Sequence, residues 1–393
     1  MTEKMPVVRM LLMLAAVSLL GACGLWSREA PGEAPAPLAD FAPRLAPEIL
    51  WSRSIGSGGD RYLWKMHPAV LEDRVLVADA GGRLVAVDRQ SGAILWSRTL
   101  DAATVAAGVA SGEGQAVVGT MEGQAIAFSP RDGSERWRVN LSSEVIALSR
   151  VVGNLVVART NDGRLHALEA DTGLLRWSAV RATPGLSLRG AHTPQMLPGR
   201  VLAGFDTGAL VLLDTARGQV LWETAVALPA GRSELERMVD LDGHIPFFRG
   251  AFIASSYQGR LAAVDLDDGQ LLWTRSFSSF AGADVHTESE TLVVTSSDSH
   301  VWGFDVRNGG DLWQQNALRL RGLTAPVALE NAVVVGDYQG YLHWLSWQDG
   351  SLLARARVGS RPIVTRPVLE DGVLYTLSGD GQLSAVRGNA GAR

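Results

Sequence analysis

The sequence predicts an all-β chain closed into an eight-bladed β-propeller of four-stranded blades, and three observations predict it. First, one unit recurs: a glycine, an alternating apolar strand, a polar turn with Gly, then Trp, always with a step of 14 residues from its first position to its Trp position. Second, the first positions fall at 82, 123, 163, 208, 259, 299, 340 and 381, giving steps of 41, 40, 45, 51, 40, 41 and 41. A period of about 40 to 45 residues with four short strands per copy is a propeller signature. Third, the last copy, GQLSAVRG from Gly381, stops before its tryptophan, while EILWSRSI places Trp51 near the start of the folded region. An N-terminal strand is therefore expected to complete the eighth blade and remove two exposed edges.

Each copy justifies one blade. GRLVAVDRQSGAILW runs from Gly82 to Trp96, GQAIAFSPRDGSERW from Gly123 to Trp137, and GRLHALEADTGLLRW from Gly163 to Trp177. GALVLLDTARGQVLW (Gly208 to Trp222) and GRLAAVDLDDGQLLW (Gly259 to Trp273) follow. Two copies are worn: Ser299 takes the glycine place before Trp313, and Ala354 stands where the copy starting at Gly340 should end in Trp. The strand carries apolar residues at alternate places, which predicts one buried face. The turn glycines, Gly92, Gly133, Gly173, Gly218, Gly269, Gly309 and Gly350, sit where a hairpin needs a residue tolerant of positive φ. Each Trp offers a large apolar surface to the next copy.

The remainder of the chain reads as delivery and surface. Lys4 and Arg9, an apolar run from Met10 to Leu20 and small residues before Cys23 form the three-part layout of an export signal, too short for the roughly 20 residues of a bilayer-spanning helix. Cys23 is the only cysteine, so no intrachain disulfide can form. The organisation expected is a signal peptide over 1–22, Cys23 and a Pro/Ala-rich extended tether over 23–47, the propeller over 48–388 and a short tail over 389–393. A net charge of −5 and the absence of any Lys/Arg run remove the usual electrostatic case for nucleic-acid binding.

Two neighbouring gaps between copies are long. From Trp177 to Gly208 and from Trp222 to Gly259, about 4 and 10 extra residues decorate adjacent blades, in the segments TPGLSLRGAHTP and GRSELERMVDLDGHIP. Leu186, Leu188 and Arg189 offer apolar anchors beside a guanidinium, and Asp240 and Asp242 offer paired carboxylates one blade away. Two readings follow: an exposed partner-binding hot spot, or buried leucines with Arg189 pairing Asp240 or Asp242 to hold the loops together. The seven histidines show no metal-ligand spacing, and His166 and His343 fall inside repeat strands as structural residues.

Resemblances sharpen these readings. Leu20, Gly21, Ala22 and Cys23 resemble the lipobox of bacterial lipoproteins, in which the cysteine becomes the acylated first residue; Gly24, not Asp, after it implies the outer membrane. The repeats resemble the PQQ-like repeat of eight-bladed propellers. A quinoprotein dehydrogenase would need a pocket with calcium held by acidic and amide side chains, which takes six to eight oxygens. The one dense acidic run, DLDDG from Asp265 to Gly269, sits in a repeat turn, and no vicinal cysteine pair exists. No catalytic residue, cofactor or metal is therefore expected. Taken with the lipobox and tether, the segments LSLRG and ERMVDLD resemble the BamB family, lipoprotein subunits of the outer-membrane β-barrel assembly (Bam) complex. That resemblance implies docking on the periplasmic POTRA domains of the barrel subunit BamA through Leu186, Leu188, Arg189, Asp240 and Asp242. It also implies a site on the periplasmic face of the outer membrane, held by a lipid anchor, and a role in assembling unfolded outer-membrane clients. A periplasmic scaffold for a different partner is the alternative.

Overall fold

The computed structural model describes residues 33–56, 66–101, 103–188, 192–363 and 365–388. The signal segment, Cys23, Arg189 and the tail lie outside them. Eight four-stranded antiparallel sheets follow one another: blade one over 69–99, two over 105–140, three over 145–180, four over 195–225, five over 247–276, six over 282–315 and seven over 327–357. Blade eight takes three strands from 368–387, and Glu48–Ser54 is its outermost strand, paired with Gln382–Arg387. The ring closes as the split copy predicts.

Burial departs from the one-faced reading. In blade one the strand Arg83–Asp88 is buried from Leu84 through Val87, on both faces. Leu84 and Ala86 pack with Val105, Val118, Ile126 and Phe128 of blade two. Val85 and Val87 pack with Leu383 and Ala385 of blade eight. Each blade is sandwiched between two neighbours, so both faces of its middle strands are dry, and alanine alternates with larger residues where blades approach.

The tryptophans stitch the blades. Trp51 donates its indole N–H to Arg89 O at 3.0 Å, joining blade eight to blade one. Trp96, Trp137 and Trp177 repeat the bond on Pro130, Ala170 and Thr215 at 3.0, 2.9 and 2.9 Å. Trp222, Trp273 and Trp313 do so on Leu266, Val306 and Trp347 at 2.8, 3.0 and 2.8 Å. Blade seven, with Ala354 in the Trp place, keeps the bond by other means. Trp344, cross-strand partner of Ala354, donates to Gly388 O at 3.1 Å. The worn copy has moved its tryptophan one strand inward.

Residues 33–47, read from sequence as part of a tether, lie along blade seven. Ala36 N donates to Arg319 O at 2.9 Å, and Arg321 returns a bond to Ala36 O at 2.9 Å. Arg355 holds Ala39 O at 3.2 Å and stacks over Phe41. Leu45 packs against the cluster that contains Trp344, Leu353 and Ala354. This strap is held from beneath: Asp337, fully buried, accepts from Arg321 at 2.9 and 2.6 Å and pairs with His343 at 2.9 Å.

Candidate functional site: two inter-blade loops

The two long gaps become connections from an outer strand to the next inner strand: 181–194 between blades three and four, 226–246 between blades four and five. In an up-and-down blade these connections share one face of the disc. The strap reaches the same face, because Arg319 and Arg321 belong to the corresponding connection between blades six and seven.

Leu186 and Leu188 are 44% and 37% exposed, so they are not strand core. Asp240 and Asp242 face inward instead of out; both are buried, within a segment whose Met238, Val239 and Leu241 are buried as well. The backbone explains this. Leu241 N donates to Phe205 O at 3.3 Å and Tyr257 N to Asp240 O at 3.1 Å, which fixes 238–242 across blades four and five. Asp240 Oδ1 then accepts the backbone N–H of Leu188 at 3.0 Å. One carboxylate thus grips the leucine loop of the neighbouring connection.

Behind it lies an electrostatic base that the sequence did not single out. Arg159, on blade three and buried, donates to Gly204 O at 2.6 Å and to Asp206 at 2.5 Å, and stacks over Phe205. The carboxylates of Asp206, Asp240 and Asp242 lie within 4.8 Å of one another. Burial pushes Asp240 up to about 6; the Leu188 N–H opposes the shift and the Asp206 charge adds to it.

The extra residues of the second loop stand outside this clamp. Leu228 and Leu235 are exposed, and a Cβ on Gly185 would lie 3.7 Å from Glu234, so the tips of the two loops adjoin. Leu235 was legible only as an apolar residue inside the polar run GRSELER. The other residues weighed for chemistry are structural: His166 bonds Ser142 at 3.0 Å, and in DLDDG the Asp265 carboxylate accepts the N–H of Asp267 at 2.8 Å, capping a turn.

A family profile described as "Outer membrane protein assembly factor BamB" matches residues 45–107, 80–315 and 298–393. The chain belongs to the BamB family. It is 42% identical over 379 residues to the BamB of Alkalilimnicola ehrlichii, covering 96% of this chain and 97% of that one. It is 37% identical to the BamB of Pseudomonas aeruginosa, covering 95% and 97%. Among solved structures it resembles BamB from Moraxella catarrhalis, with a TM-score of 0.79, 27% identity, and coverage of 87% of this chain and all of that one. A quinohemoprotein alcohol dehydrogenase from Comamonas testosteroni matches with a TM-score of 0.68 and 13% identity over 88% of this chain and 77% of that one, a likeness of fold alone.

Proposed function

We propose that this protein is a non-enzymatic subunit of the outer-membrane β-barrel assembly complex, anchored by acylated Cys23 on the periplasmic face of the outer membrane. It docks on the POTRA domains of BamA through the leucine loop between blades three and four. Leu186 and Leu188 supply the apolar contact, and Leu235 beside them extends it. Asp240 presents the loop; it does not touch the partner. Arg189, next to Leu188 in sequence, is assigned to the partner contact, and Asp242 to the buried support beneath it.

One observation carries the reading: two exposed leucines sit on a loop whose backbone is gripped by a buried carboxylate of the next connection. A loop already held in its binding shape loses little conformational entropy on docking. The strap supports the same arrangement. It holds Ala36 on the face of the two loops, which supports a reading with the anchor and BamA on one side of the disc.

The test titrates residues 24–393 with purified POTRA domains. Leu188→Asp is expected to weaken binding by about 2 kcal/mol, roughly 30-fold, as loss of a central apolar contact does. Asp240→Ala, folded by circular dichroism, weakens it by releasing the loop. Unchanged affinity in both variants would refute the docking surface.

A further inference from the structure

The outer strand carries a bulge at one fixed place from blade to blade. In blade four the ladder steps from Leu212↔Trp222 to Leu213↔Val220, and in blade five from Ala263↔Trp273 to Val264↔Leu271. In blade six it steps from Gly303↔Trp313 to Phe304↔Asp311, and in blade seven from Trp344↔Ala354 to Leu345↔Leu352. The skipped residue is Leu221, Leu272, Leu312 or Leu353, each left without a partner across its own ladder.

In blade seven that residue is nevertheless covered. Arg44 N and Leu45 N both donate to Leu353 O, at 2.8 and 3.2 Å, and Leu353 is only 8% exposed. In blades four, five and six the equivalent leucines are 50%, 56% and 53% exposed. Blade one carries another such leucine, Leu95, 47% exposed. The molecule therefore holds one filled and four open leucine versions of the same edge, three of the open ones on consecutive blades.

We propose that the rim of blades four to six binds an extended segment of another polypeptide in the manner in which blade seven binds residues 36–45. The occupant is an unfolded strand with apolar side chains at alternate places. Its backbone N–H groups meet the carbonyl of the bulged leucine, and its apolar face covers the leucine side chain. The strands of an outer-membrane barrel carry that alternation. This step rests on the assembly role proposed above and adds a second surface to it, on the rim and separate from the docking loops. Blade two is the internal contrast, because Arg136 occupies the bulged place there.

The experiment places the photoreactive p-benzoylphenylalanine at Leu221, Leu272, Leu312 or Arg136, one at a time, in the mature chain. The probe is a urea-unfolded outer-membrane porin diluted into buffer. Adducts at the three leucines about tenfold above those at Arg136 are expected; equal yields at all four, or no adduct, overturn the proposal. A second variant, Leu221→Asp/Leu272→Asp/Leu312→Asp, is expected to bind the porin about tenfold more weakly while keeping its circular dichroism and its affinity for POTRA domains. Full retention of porin affinity in that variant also overturns it. Loss of POTRA docking through Leu188→Asp with porin adducts intact separates the two surfaces.

Discussion

At the residue scale, Asp240 holds the leucine loop through one carboxylate oxygen. Its carboxyl, raised to about 6 by burial, contrasts with Asp132 and Asp349, each held down at about 2 by hydroxyl and backbone N–H donors of nearby serines. A carboxyl whose pKa is higher folded than unfolded binds its proton more tightly in the native state, so its contribution to stability grows as pH falls through 6. The stability of the wild type relative to Asp240→Asn should therefore rise between pH 7 and pH 5 in urea titrations. A relative fall would contradict the assignment of Asp240 as the buried clamp. The sequence showed these carboxylates as a pair next to an apolar loop. It could not show which way they point, because that depends on Arg159, Gly204 and Phe205, brought under the loop only when blades three and four pack. The exposed Leu186 and Leu188 were named from sequence; Leu235 and Arg159 were not, the first lost in a polar run and the second in a regular repeat strand.

At the element scale the repeat unit holds two demands at one turn. Gly218 has φ +69°, and a Cβ there would lie 2.5 Å from the Trp177 ring of the preceding blade. Backbone conformation and the stitch between blades thus require the same residue to be glycine. Gly218→Ala should destabilise the protein by about 2 to 4 kcal/mol, combining left-handed strain with overpacking, as read from chemical denaturation. Ser299 shows the milder case: it replaces a first-position glycine, keeps φ +66°, and its hydroxyl accepts the N–H of Leu323 at 3.3 Å. The 14-residue step made the unit readable in sequence because strand, turn and Trp are all local. The strap over 33–47 was not readable, since a Pro/Ala-rich stretch shows no periodicity and its partners Arg319, Arg321, Leu353 and Arg355 lie at the far end of the chain.

At the scale of the whole molecule, the split blade and the strap make residues 36–54 part of the closed ring. Glu48–Ser54 completes blade eight and the residues before it bind blade seven, with Ala36 held at the connection on the face that carries the two long inter-blade loops. The number of blades and the split copy were legible from spacing alone; the sharing of one face followed only from the positions of the connections. The most direct measurement of the central claim uses a single introduced cysteine. In residues 24–393, which contain no cysteine, one is placed at Leu186 on the loop face or at Leu174, exposed in the turn before its outer strand on the opposite face, and a short thiol-to-amine crosslinker is added with purified POTRA domains. A crosslinked product from position 186 and none from position 174 is the expected result. Equal crosslinking from both positions, or crosslinking from 174 alone, would contradict it.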